Sequence, residues 1–200
     1  MNPYGEPAVQ GYVSGFLEKF FSDTRSRVLV FGINPGRFGA GITGVTFTDP
    51  VALARFCGIP NNLPQVRERS SEFMYEFIKR WGGPKKFYRD FFLTAVSPLG
   101  FTRKGVNYNY YDDERLFTVV RPFIVSTIQS QIDFGARRDV VILFGTGENQ
   151  KHFSDLNREF RFFKKIYALE HPRFIMQYRR RKLLDYLQKY HKTFSTAISA

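Results

Sequence analysis

Three residues able to act on a flat polar ligand each follow a short apolar run of this chain. Asn34 follows Val28, Leu29, Val30 and Phe31 in the stretch VLVFGINPGRFGAGITGVTFTD, Ser97 follows the run at 91–96, and His171 follows the run at 165–169. A carboxamide holds a water or reads a carbonyl edge, and an imidazole exchanges a proton near neutral pH. Phe47 closes the glycine-rich loop with a ring face, and Gly39, Gly41 and Gly44 let backbone pass close to a ligand. Each residue also has a plainer role. Asn-Pro opens turns, a phenylalanine among 23 is ordinarily core, and a histidine at a strand end often caps a turn.

The same loops exclude several chemistries. They carry no paired Asp or Glu, which argues against a two-carboxylate glycosidase mechanism. His152, His171, His191 and Cys57 show no metal-ligand spacing. GINPGRFGAG lacks the Gly-Lys-Ser/Thr ending of a P-loop and does not match GxGxxG.

Positioning these residues requires strands that end together. The run at 28–33 does not alternate, so it reads as a strand covered on both faces, hence a parallel sheet whose ligands bind beyond the carboxyl ends. Further strands are expected at 91–96, 140–144 and 165–169, and helices at 11–21, 50–56, 71–81, 114–134, 148–163 and 174–190. Pro122 interrupts or initiates the fourth of these helices, and the cations at 179–181 read either as a solvated helix face or as phosphate contacts. The stretch 85–89 reads as a basic, aromatic approach to a strand, 100–113 as a surface loop or hairpin, and the tail after His191 as frayed. Strands alternating with helices predict an α/β fold, a three-layer α/β/α sandwich around a mainly parallel four-stranded sheet, with all 200 residues in one domain.

Charge points to the partner. Thirty Lys and Arg against 18 Asp and Glu give +12, concentrated at 67–69, 79–89, 103–104, 161–165 and 173–182 with aromatics between them, a pattern suited to phosphates and bases. The single Cys57, the absence of a long apolar run and a start without signal-peptide character lead to the expectation of a soluble cytoplasmic protein without membrane partners.

The segment from Gly32 to Phe47 resembles the first motif of the single-strand-selective monofunctional uracil-DNA glycosylases, within the uracil-DNA glycosylase superfamily: Asn-Pro-Gly, Phe-Gly, Thr-Gly-Val and the closing Phe fall at matching spacings. Ser97-Pro98-Leu99 resembles the family's middle motif, Gly145-Thr146-Gly147 its Gly-x-Gly, and His171-Pro172 the start of its last motif. The resemblance implies a monofunctional DNA glycosylase without cofactor or metal, acting as a monomer on single-stranded DNA or an extruded base. It implies that Asn34 positions the attacking water, that Phe47 stacks on the base, and that His171 donates to the base oxygen where charge develops. Gly36, Phe38, Ala40, Ala95 and Ser97 would complete the base pocket. Arg37, Arg173, Phe174, Gln177, Tyr178 and Arg179 would hold the strand.

Two departures leave the base open. Ala95 stands three residues before Pro98, where the family has an Asn that reads the uracil edge, and Ala40 replaces a bulkier Met. Asn107, Tyr108 or Asn109 would then supply the contact, or a wider pocket would take xanthine or hypoxanthine. The alternative reading is a noncatalytic nucleic-acid-binding member of the fold with a degenerate pocket.

Overall fold

The computed structural model describes residues 1–200. Six strands form in chain order: β1 (Val28–Gly32), β2 (Phe91–Ala95), β3 (Phe101–Arg103), β4 (Val106–Tyr108), β5 (Val140–Phe144) and β6 (Lys165–Leu169). Nine α-helices accompany them: α1 (Pro7–Phe21), α2 (Ala40–Thr43), α3 (Pro50–Arg55), α4 (Arg69–Trp81), α5 (Pro84–Asp90), α6 (Glu114–Asp133), α7 (Glu148–Phe160), α8 (Pro172–Tyr178) and α9 (Leu183–Ile198). No helix is long and apolar enough to cross a membrane.

The main sheet has the order β2-β1-β5-β6, with every neighbouring pair parallel. All five residues of β1 and all five of β5 are buried, as non-alternating apolar runs in a doubly covered sheet require. Successive side chains still take opposite faces. Val28 and Val30 join a core of 28 buried residues that includes Phe73 and Phe77 of α4 and Phe194 of α9, while Leu29 and Phe31 join one of 13 that includes Ile124 and Ile128 of α6 and Phe153 of α7. These two cores make the three layers. The registers Gly32↔Ala95 and Phe144↔Leu169 align the strand ends, so Asn34, Ser97, Gly145 and His171 all leave the sheet at one edge.

Several expected boundaries move. The stretch expected as an approach segment is helix α5, started by Pro84 in its first turn and held because Phe87 and Tyr88 are fully buried. Helix α6 runs unbroken through Pro122, at a solvent-facing position where the carbonyl left unpaired, that of exposed Thr118, meets water. Helix α7 stops at Phe160 because Arg161 turns left-handed and the Asn157 side chain brackets the backbone of Phe163, accepting at 2.8 Å and donating at 3.0 Å. The expected last helix is two, α8 and α9, separated by a 3-10 turn at Arg180–Lys182. The tail is not frayed. Phe194 and Ala197 are fully buried, and the Phe194 ring lies 4.7 Å from Phe91 and 4.8 Å from Phe77, with centroids as the reference points.

The basic runs divide between the two ends of the sheet. Residues 103–104 and 173–182 follow strand ends on the Asn34 side, whereas 85–89 and 161–165 lead into β2 and β6 at the opposite edge. Some of this positive charge is structural. Buried Arg27 donates to the carbonyls of Tyr88 and Phe20, and Arg138 to those of Phe162 and Arg161, satisfying carbonyls at the ends of α1, α5 and α7 that packing would otherwise orphan.

Candidate active site

The loop after β1 is built around Gly36. Its carbonyl accepts from Gly41 N at 2.9 Å and Gly39 N at 3.3 Å, and a Cβ on Gly41 would stand 2.6 Å from that oxygen, so the coil closes only on glycine. Asn34 projects from this coil into the hairpin β3–β4 and its exit. Its Nδ2 donates to Tyr108 O at 3.2 Å, and its Oδ1 accepts from Tyr110 N at 3.2 Å. The two bonds fix which end of the amide is oxygen, and each end keeps one further hydrogen-bonding position. Arg37 adds to the clamp, donating its backbone N–H to Asn107 Oδ1 at 3.2 Å and its guanidinium to Gly105 O.

The hairpin owes its shape to Lys104 and Gly105, both left-handed with φ of 51° and 75°, the signature of a two-residue type I′ turn. Behind it, Tyr110 is fully buried. Its hydroxyl donates to Asn149 Oδ1 at 2.8 Å, and Asn149 Nδ2 donates to Phe144 O at 2.9 Å, which ties the hairpin exit to the end of β5. Tyr111 is stacked 5.7 Å from His152, so both tyrosines anchor the loop rather than face a ligand.

Phe47 lies across the end of β1. A Cβ on Gly32 would come within 2.6 Å of its Cζ, and the ring sits edge-on to Phe144 at 5.3 Å. Its backbone is left-handed, φ 57°, a costly state for a phenylalanine, and buried Thr43 holds it there: Thr43 Oγ1 donates to Thr48 O at 2.7 Å and accepts from Val45 N at 3.1 Å. Phe47 is thus a core residue that also lines the cavity.

His171 leaves β6 and caps α8. Its Nδ1 accepts from Arg173 N at 3.2 Å, with Pro172 preset in the first turn. An accepting Nδ1 places the proton of the neutral ring on Nε2. Burial, followed by the charge of Arg173, lowers the imidazole pKa from 6.5 to about 4, so the ring is neutral at physiological pH. The His171 and Phe47 rings lie 5.7 Å apart at 46°.

A cavity of about 440 Å³ gathers these residues. Asn34, Gly36, Arg37, Phe38, Ala40 and Phe47 enter from the first loop, Ala95 from the end of β2, and His171, Arg173, Phe174, Gln177 and Tyr178 from α8 and its cap. Ser97, expected in the base pocket, and Arg179, expected to hold the strand, do not line it. Ser97 is fully buried with its hydroxyl donating to Leu99 O at 2.9 Å, and Arg179 lies beyond α8 with its guanidinium over Phe174 at 5.3 Å. Phe38, Val106, Phe174 and Tyr178 line the cavity yet are exposed, so its rim is apolar.

The candidates for replacing an amide at Ala95 are largely committed elsewhere. Asn107 gives its oxygen to Arg37, the Tyr108 hydroxyl bridges Arg103 and Asp112 O, and Asn109 is tied twice to the Asp112 carboxylate. The residue that sequence reasoning missed is Glu68. It lies just before α4, lines the cavity, and accepts a hydrogen bond from Ser70 Oγ. Burial raises its pKa above the ordinary carboxyl value, while Ser70 and Arg173 act in the opposite direction. No signal exposed it, because it follows no strand. Nowhere in the molecule do three or more His, Cys, Asp or Glu side chains gather as metal ligands would.

A family model described as the uracil DNA glycosylase superfamily matches residues 18–195. The chain belongs to that superfamily. A crystal structure of wild-type SMUG2 from Pedobacter heparinus superposes with a TM-score of 0.96 and is 41% identical, the match covering 100% of this chain and 88% of that one. Comparison with curated proteins gives no match. As a DNA glycosylase of this superfamily, the protein must accept a base turned out of the stack, and the cavity at the carboxyl edge of the sheet is of a size for one.

Proposed function

We propose that this glycosylase removes uracil or another deaminated base from DNA, with Asn34, Phe47 and His171 as its working residues and no cofactor. The observation that carries the reading is their convergence on one cavity with complementary hydrogen-bonding states. Asn34 Oδ1 keeps one lone pair for the hydrogen of a water, Phe47 offers a ring face, and His171 Nε2–H is free to donate. As the bond between the sugar C1′ and the base nitrogen breaks, its electron pair goes to the base, and Nε2–H stabilises the charge that reaches the base oxygen. Water held by Asn34 then forms the new C1′–O bond and releases its proton to solvent, leaving an abasic site and an uncut strand. A neutral imidazole suits this task because it gives a hydrogen bond without needing to surrender a proton.

The apolar rim of Phe38, Val106, Phe174 and Tyr178, beside Arg37 and Arg173, supports unpaired bases and single-stranded DNA as the preferred partner. The 200 residues act as one domain and one copy, in the cytoplasm, consistent with a lone buried thiol at Cys57. Oligonucleotides carrying uracil, 5-hydroxymethyluracil, xanthine or hypoxanthine, single- and double-stranded, test this when treated with alkali after incubation. Cleavage of at least one is expected, slowed roughly 100- to 1000-fold by Asn34→Ala or His171→Ala. No cleavage of any would sink the reading, and full-rate cleavage by both variants would sink the assigned roles.

A further inference from the structure

A carboxyl group in the base cavity of an enzyme for a polyanion is an electrostatic liability, so its presence calls for a function. Glu68 is fixed in place by three elements. Its backbone N–H donates to Asp49 Oδ2 at 3.0 Å ahead of α3, its Oε2 accepts from Ser70 Oγ at the start of α4, and Arg173 of α8 lies close enough to act on its charge. The first loop is shaped to admit it, since a Cβ on Gly39 would come within 2.9 Å of Oε2. Glu68 thus lies against Gly39 of the first loop and lines the same cavity as Ala40 and Ala95, whose side chains offer no hydrogen bond.

Resting on the reading of this cavity as the base site, we infer that Glu68 is its specificity-determining residue, hydrogen-bonded to the ring N–H that distinguishes a deaminated base. Deamination of cytosine or adenine converts a bare ring nitrogen, an acceptor, into an N–H donor, and the neighbouring amine into a carbonyl. A carboxyl oxygen therefore attracts uracil and hypoxanthine by the same contact that repels cytosine and adenine, whose ring lone pairs it would face. When protonated, the group also donates to the adjacent carbonyl and matches the donor-acceptor pair of a carboxamide, the function absent at Ala95. Pyrimidine and purine lactams share this pattern, so one residue serves several deaminated bases.

The test compares wild type, Glu68→Ala and Glu68→Gln on single-stranded oligonucleotides carrying uracil, hypoxanthine or 3-methyluracil, in which the ring N–H is replaced by N–CH3. Glu68→Ala is expected to lose roughly 10- to 100-fold in kcat/KM on uracil and hypoxanthine, and Glu68→Gln to stay within a few-fold of wild type. Wild type should disfavour 3-methyluracil against uracil by a similar factor, and that factor should shrink toward one in Glu68→Ala, an effect that a merely structural role would not produce. The inference is overturned if Glu68→Ala keeps wild-type rates, if Glu68→Gln falls as far as Glu68→Ala, or if the methyl penalty persists unchanged in Glu68→Ala. Should wild type cleave and Asn34→Ala fail to, any of those results removes Glu68 alone and leaves the glycosylase reading standing. Should Glu68→Ala fail to fold, as a thermal melt would show, Glu68→Asp decides instead: a carboxyl one methylene short of the ring N–H is expected to lower kcat/KM on uracil roughly 10-fold and to shrink the 3-methyluracil penalty, and an unchanged rate and penalty would overturn the inference.

Discussion

Tyr110 donates its backbone N–H to Asn34 Oδ1 across a separation of 76 residues, and in the same hairpin exit Tyr108 O accepts from Asn34 Nδ2. The amide proposed to hold water is thereby clamped by backbone at both ends. Side-chain freedom that would otherwise have to be lost on reaching the reactive geometry is already lost in the folded protein. The support continues inward through Tyr110 Oη, Asn149 and Phe144 O.

Tyr110→Phe removes one atom from that chain and leaves Asn149 Oδ1 buried without its donor. The expected cost is about 1–3 kcal/mol of stability and a several-fold fall in kcat, with KM little changed, because base and phosphate contacts are untouched. Single-turnover excision kinetics beside urea unfolding would check both parts.

His171 makes stability depend on pH in a defined direction. Its pKa is about 4 when folded against 6.5 for an unperturbed imidazole, so between those values the unfolded chain binds a proton that the folded one refuses. Stability from this group is complete above pH 6.5 and is lost as pH falls toward 4. Urea midpoints at pH 7 and pH 5 should therefore differ less in His171→Ala than in wild type. The neutral ring should also keep the His171-dependent step flat from pH 8 to 5.

Gly32→Ala would drive a methyl group to 2.6 Å from Phe47 Cζ, and Phe47 has little room to yield because its left-handed backbone is locked by Thr43. A loss of about 1–3 kcal/mol is expected, together with a fall in activity larger than stability alone explains, since the displaced ring is the proposed base platform. Thermal melting and excision assays below the melting temperature would separate the two.

Phe194→Ala tests whether the C-terminal helix belongs to the core. Its side chain is fully buried among Phe77, Phe91 and Phe144, and truncation should cost about 3–5 kcal/mol, read as a lower denaturant midpoint. A tail without structural role would show no change.

The sheet was legible because its strands are short continuous apolar runs, and two of four, 140–144 and 165–169, were bounded to the residue. The placement of Asn34 and His171 at one edge was legible because strand ends in a parallel sheet share it, whereas Phe47 stood out from the other phenylalanines only through the family resemblance. What escaped depends on long-range partners. Nothing local in 192–198 says that Phe194 will meet Phe91, and nothing near Glu68 says that Gly39 will clear space for its carboxyl. Ser97 lies outside the cavity because its hydroxyl turns back to its own loop, a side-chain direction that chain position does not give, while Arg179 keeps an exposed position with its guanidinium over a neighbouring ring. Tyr110 and Tyr111 look alike in sequence to surface aromatics, and only the depth of Asn149 and His152 behind them decides otherwise.

The hairpin around Asn34 is too small to hold its own shape in water, since a two-stranded unit alone is marginal. Asn34 and Arg37 are among the bonds that keep it docked, so the residue proposed to host the water also supports the wall that confines it. Chemistry and local order therefore cannot be titrated independently at position 34. A chain that loses this amide loses a reactant's seat and a latch together, and the hairpin it releases would carry Val106 and Asn107 away from the mouth of the cavity.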